Sequence, residues 1–202
     1  MIIRILLADD QHLVRGALAA LLALEPDFEV VAQVADGTAA VDAAIRDAPD
    51  IALLDIEMPG LDGIAATARI HAEAPGVRVL ILTTFGRPGY LRRAMDAGAR
   101  GFVVKDAPAT RLALAVREVH RGGVVVDPEL AVASLSSGAS PLTERERDVL
   151  RAGRDGATVA EIAVALVLSE GTVRNYLSSA IGKTGARNRT EAARTAYERG
   201  WL

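Results

Sequence analysis

Residues 51–63, IALLDIEMPGLDG, constrain the fold of this chain more than any other stretch. The run IALL is short and wholly apolar, the pattern of a strand covered on both faces of a sheet. It stops at a carboxylate, Asp55. Pro59, Gly60, Asp62 and Gly63 follow, residue types that turn a chain by fixing φ, allowing positive φ or bonding their own backbone. Ile64 then opens a helical pattern with Ala68, and Asp62 suits its N-cap. Asp55 therefore stands at the carboxyl end of a central strand, where open α/β sheets bind ligands.

The same unit recurs along the chain. Apolar runs predict strands over 2–8, 28–35, 51–54, 77–82 and 101–104, and helical spacing predicts helices over 13–24, 37–47, 64–73, 88–97 and 108–121. Pro26 stops the first helix, and Pro108 fits the first turn of the last. Regular alternation implies an α/β fold with a doubly wound, five-stranded parallel, flavodoxin-like sheet and right-handed crossovers. The strand order of such sheets is 2-1-3-4-5, with the ligand crevice between strands 1 and 3. In that order Asp9 and Asp10 face Asp55, while Thr83 and Lys105 close the same end from strands 4 and 5.

Three carboxylates at one place repel one another unless a cation lies among them. Oxygen donors without imidazole or thiolate suit a hard ion, Mg²⁺ or Mn²⁺. One carboxylate can then attack phosphorus and become an aspartyl phosphate. Transfer also needs a fixed cation and a hydroxyl on the phosphoryl oxygens, roles open to Lys105 and Thr83. Only two of the 23 basic residues are lysines, and one stands at this strand end.

Charge divides the chain. Residues 1–138 carry 13 basic and 18 acidic side chains, net −5, whereas residues 139–202 carry 10 and 8, net +2. The first balance suits a cation and the second permits nucleic acid. The absence of cysteine excludes disulfides and thiolate zinc sites and fits a reducing compartment. Asp9 and Asp10 interrupt the first apolar run, so it does not read as a signal peptide. The apolar run over 17–24 is too short to cross a bilayer. A cytoplasmic protein without membrane insertion is expected.

Beyond residue 122 the helical period lapses, with GG at 122–123, DP at 127–128 and SLSSGAS at 134–140. Residues 123–140 read as a tether with one short helical turn near 129–134, between parts spanning 1–122 and 141–202. Thr143 with Glu146, Thr158 with Glu161 and Asn188 with Glu191 each predict a capping box, and Ser169 opens a further helix. Four helices, the second and third close together, predict an all-α helix-turn-helix. In the third helix, over 170–184, Val173, Leu177, Ala180, Ile181 and Thr184 share one face, which is predicted to be buried. Arg174, Asn175 and Ser178 fall outside it; arginine and asparagine there can read guanine and adenine edges in the major groove. Lys183, Arg187 and Arg189 follow as expected phosphate contacts.

These motifs carry a family resemblance. ADD at 8–10, LLDIEMPGLDG at 53–63, ILTTF at 81–85 and GFVVKD at 101–106 resemble a response-regulator receiver domain in order and spacing. LTERERDVL and AEIAVALVLSEGTVRNYLSSAIGKTGARNRTEA, within 141–196, resemble the LuxR/NarL-type DNA-binding domain. Nearly the whole chain is thus similar to NarL/FixJ-type two-component regulators. Asn175-Tyr176 and TTFGRPGY at 83–90 look closer to the DesR-like branch, whose targets are membrane-lipid genes. The resemblance implies Asp55 as phospho-acceptor, and Asp9, Asp10, Asp55 and the Glu57 backbone carbonyl as Mg²⁺ ligands. Thr83 and Lys105 would hold the phosphoryl group, Phe102 would be the aromatic switch residue, and Thr172 would join the DNA-contacting side chains. It implies a cognate sensor histidine kinase, double-stranded DNA and a homodimer formed on phosphorylation, with at most slow self-dephosphorylation. Two other readings remain at this point. One is a metal-dependent phosphohydrolase with Asp55 as nucleophile, against which the chain lacks a second acid two residues after a strand-end nucleophile. The other is a receiver acting through protein or RNA contacts.

Overall fold

The computed structural model describes residues 2–84, 88–128, 130–132, 140–154 and 156–202. The chain divides into two compact units, one holding residues 1–86 and 91–132 and the other residues 133–202 with 87–90.

In the first unit, β1 (Ile3–Ala8), β2 (Phe28–Val34), β3 (Ile51–Asp55), β4 (Arg78–Thr83), β5 (Gly101–Val104) and β6 (Val125–Val126) form one sheet ordered β2-β1-β3-β4-β5-β6. Every pairing is parallel. Helices α1 (His12–Leu22), α2 (Gly37–Asp47), α3 (Gly63–Glu73), α4 (Pro88–Asp96) and α5 (Ala109–His120) alternate with the strands. All five residues of β3 are buried, which is why the strand reads as a continuous apolar run instead of an alternating one. Ile5, Leu7, Leu53 and Leu80 are fully buried, and Val116 and Val119 of α5 pack in the same core. Asp36 and Asp62 cap α2 and α3 by accepting from the backbone N–H groups of Ala39 and Ala65, at 2.8 and 2.7 Å. α5 begins one residue later than expected, with Pro108 at its N-cap.

The sheet has six strands where the sequence predicts five. Val125 and Val126 pair with Gly101 and Phe102, inside the segment read as a tether. A two-residue edge strand offers no periodicity to detect. Arg117 ties α5 to the β1–β2 side: its guanidinium donates to both oxygens of Asp27 and to Glu25, and lies 4.7 Å over the Phe28 ring.

The second unit contains α6 (Glu144–Ala152), α7 (Val159–Leu166), α8 (Glu170–Thr184) and α9 (Arg189–Glu198). Their core joins Val149, Leu150, Ile162, Val173, Ala180, Ala192 and Ala196 with the terminal Trp201 and Leu202. Thr143–Glu146 and Thr158–Glu161 form complete capping boxes. The third expected box is half formed. Asn188 caps the Glu191 N–H at 2.9 Å, but the Glu191 carboxylate accepts from the backbone N–H of Arg187 instead, at 2.8 Å.

Candidate phosphoryl-transfer site and DNA-reading helix

Because all strands of the first unit run in parallel, every strand end of one polarity lies along one edge of the sheet. Leu54 of β3 sits beside Ala8 of β1, and Asp55 beside Leu82 of β4. Asp9, Asp10 and Asp55 each bring a carboxylate oxygen within 4.8 Å of the others. Asp9 and Asp55 are buried and Asp10 is exposed. Among the described residues the ligand atoms that converge here are carboxylate oxygens, so the donor set fits the hard divalent ion expected from sequence.

Lys105 offsets part of the cluster's charge. Its Nζ lies 2.7 Å from Asp9 Oδ2 and 3.1 Å from Asp55 Oδ1, with its side chain almost wholly enclosed. Its backbone N–H donates to the Thr83 carbonyl at 2.7 Å, so the two strand ends arrive together. Burial pushes the Asp55 carboxyl up to about 6, against the opposing pull of the Lys105 ammonium; Asp9 adds a smaller upward push. Thr83 is buried, Phe102 is fully buried, and Glu57 is exposed in the loop after β3.

That loop is shaped by close backbone approach. The Gly63 N–H donates to the Ile56 carbonyl at 2.9 Å, and a Cβ on Gly63 would lie 1.9 Å from the Asp55 carbonyl oxygen. Gly60 adopts φ +73°, open to glycine without steric cost. These two glycines allow the chain to turn from β3 into α3 directly beneath Asp55.

In the second unit, Ser169 caps α8 by accepting from the Thr172 N–H at 3.1 Å. Val173, Leu177 and Ala180 are buried, as the helical period predicts, whereas Ile181 and Thr184 are half-buried. Arg174, Asn175 and Ser178 are exposed together on the other side. Arg174 is held along the helix by Glu170, four residues earlier. The remaining expected contacts divide. Arg187 is exposed and pairs with Glu191 at 3.0 Å, Thr172 Oγ1 lies 2.8 Å from Ser169 Oγ, and Arg189 donates to the Ala157 carbonyl at 2.8 Å. Lys183 turns to Glu146 of α6, 2.8 Å away. Glu146 thus serves both helices, although its only sequence signal is the capping box.

A sheet of this order with an acid cluster and lysine at one end, joined to a helix-turn-helix with a polar face, is the architecture of a receiver joined to a DNA-binding domain. Two family models match: the response regulator receiver domain over residues 5–117, and the luxR family of bacterial regulatory proteins over residues 140–196. The chain is 44% identical over 200 residues to the transcriptional regulatory protein DesR of Bacillus subtilis (strain 168), covering 99% of each. Among solved structures it is similar to the response regulator ChrA of a heme-sensing two-component system, at 35% identity and TM-score 0.59, over 100% of this chain and 99% of that one. It is also similar to the response regulator RcsB in a DNA complex, at 26% identity and TM-score 0.66, over 98% and 99%. The chain belongs to the two-component response regulators that join a receiver domain to a LuxR-type DNA-binding domain.

Proposed function

We propose that Asp55 accepts a phosphoryl group from a sensor histidine kinase, and that the phosphorylated protein dimerises and binds its operator through α8. The observation that carries this reading is the placement of Asp55, a buried carboxylate among Asp9, Asp10 and Lys105 at the strand ends. A carboxylate oxygen of Asp55 forms the new bond to phosphorus as the bond to the kinase histidine breaks. The electron pair stays on the imidazole nitrogen, which takes a proton from solvent. Asp9, Asp10, Asp55 and the Glu57 carbonyl would hold Mg²⁺, or Mn²⁺ in its place, which supplies charge neutralisation on the phosphoryl oxygens. Lys105, already 3.1 Å from Asp55, neutralises a phosphoryl carried there, and Thr83 donates its hydroxyl to it. Phe102 has no hydroxyl and is fully buried, so its part in the switch is packing alone.

On this reading residues 1–122 are the receiver, 123–140 the tether with Val125 and Val126 bound to the sheet edge, and 141–202 the DNA-binding part. Arg174, Asn175 and Ser178 face base edges, and Thr172, Arg187 and Arg189 face phosphates. The protein acts in the cytoplasm, with no turnover beyond slow loss of its own phosphoryl group. The likeness to the DesR-like branch makes membrane-lipid genes the first promoters to test.

The test is intact-protein mass after incubation with Mg²⁺ and a small acyl phosphate. Wild type gains roughly 80 Da, one phosphoryl group, and Asp55→Asn gains nothing. Equal gain in both proteins would place the acceptor elsewhere.

A further inference from the structure

Glu146 is nearly inaccessible to solvent, and it serves three partners across two helices. Its Oε2 accepts from the Thr143 backbone N–H at 2.7 Å and from Lys183 Nζ at 2.8 Å, while Oε1 accepts from Ser179 Oγ at 2.6 Å. The carboxylate is thereby fixed to the amino end of α6 and grips α8 at two points one turn apart. With Val173 as zero and about 100° per residue, Ser179 and Lys183 fall near about 240° and 280° around α8. Arg174, Ser178 and Asn175 fall near about 100°, 140° and 200°. The grip is therefore on the flank between the buried face and the exposed reading face. A roll of about 20° would move a side-chain tip roughly 5–6 Å from the axis by about 2 Å, more than a hydrogen bond tolerates.

We propose that Glu146 is the positioning residue of the DNA-reading helix, setting its rotation through Ser179 and Lys183, and that Lys183 serves as its tether and makes no phosphate contact. The buried side chains of α8, Val173, Leu177 and Ala180, supply no directional bonds to fix its rotation. Directional, charge-assisted bonds on one flank select a single rotation. The Lys183 ammonium, already paired with an enclosed carboxylate, releases no counter-ion when DNA arrives. The proposal rests on α8 being the DNA-reading helix.

The experiment uses full-length protein and two duplexes of about three helical turns. One is of random sequence, and the other is the sequence that wild type enriches most from a randomised pool. Affinities are measured across a salt series for wild type, Lys183→Met, Glu146→Gln and Arg187→Ala. Gln at 146 can still cap α6, and Met keeps the aliphatic stem of Lys183. If Glu146→Gln does not fold, Ser179→Ala takes its place. Lys183→Met is expected to keep the wild-type slope of log affinity against log salt, whereas Arg187→Ala loses about 0.9 per protomer. Both Lys183→Met and Glu146→Gln are expected to lower the preference for the enriched over the random duplex by about tenfold, a change that mere loss of stability does not produce. A slope loss of about 0.9 in Lys183→Met, or an unchanged preference in both variants, overturns the proposal and leaves the reading of α8 intact. Wild-type protein that binds neither duplex overturns that reading, and the positioning role with it.

Discussion

Glu146 shows how one side chain can couple the charge state of a domain to its stability. Burial raises its carboxyl pKa, but the bonds from Lys183, Ser179 and Thr143 outweigh this and hold it at about 2, against 4.5 when exposed. A depressed folded-state value means that the stabilisation is complete above about pH 4.5 and is lost as pH falls towards 2. A shift of this size corresponds to about 3 kcal/mol. Lys183 is about one-third exposed, and solvent screening there brings the contribution nearer about 2 kcal/mol. Glu146→Gln is therefore expected to flatten the acid limb of stability against pH between 4.5 and 2, as followed by denaturant unfolding at fixed pH; an unchanged limb would remove the ion pair as its cause. Val167 is strained in the opposite sense. It caps α7 with φ 54° and ψ 50°, a left-handed conformation costly for a β-branched residue, and 90% of its surface is exposed. Val167→Asn loses little packing and is expected to stabilise the protein by about 1 kcal/mol in urea unfolding.

At the scale of elements, the β3–α3 loop binds geometry to chemistry. It carries Asp55 at one end and its helix cap, Asp62, at the other, and Gly63 passes against the Asp55 carbonyl with no room for a side chain. Gly63→Ala forces backbone apart, since the obstacle is main chain that no rotamer change can clear. A loss of about 3 kcal/mol is expected in thermal or denaturant unfolding, together with slower phosphoryl uptake by Asp55 at temperatures where the variant stays folded. Wild-type stability in that variant would mean that α3 can slide without consequence. α5 is secured differently, by the Arg117 fork on Asp27 and Glu25 and by the ring of Phe28 beneath it. These contacts attach the last helix of the receiver to the β2 edge of the sheet.

At the scale of the whole molecule, α1 and the residue just beyond its cap present an exposed apolar stripe. Leu13 and Leu24 are 86% and 78% exposed, Leu21 is 43% exposed, and Ala17 and Ala20 lie between them. Leu114 of α5 is 65% exposed. Such stripes cost solubility unless an association covers them. Phosphorylation-linked dimerisation through this surface predicts that Leu13→Glu with Leu24→Glu raises the dimer dissociation constant by at least about tenfold, or about 1.4 kcal/mol, in sedimentation of acyl-phosphate-treated protein. Unchanged sedimentation, with Leu114→Glu added as well, would exclude both helices. Among the described residues no helix is long and apolar enough to cross a membrane.

The sequence by itself determined the alternation of strands and helices, the strand-end places of Asp9, Asp10, Asp55, Thr83 and Lys105, and the buried Val173, Leu177 and Ala180 of α8. Those signals are local: periodicity follows from the rise and turn of one element, and caps from residues three apart. The parallel order then followed from connection rules that hold across folds. Tertiary structure alone decided the rest. Val125 and Val126 became a sixth strand only because β5 offered an unpaired edge. Asp55 acquired a raised pKa because packing removed its water and brought Asp9 beside it. Lys183, which its charge and place on α8 mark as a phosphate contact, was claimed by Glu146 37 residues away. Such pairings depend on which surfaces meet when the helices pack, and no local pattern encodes that meeting.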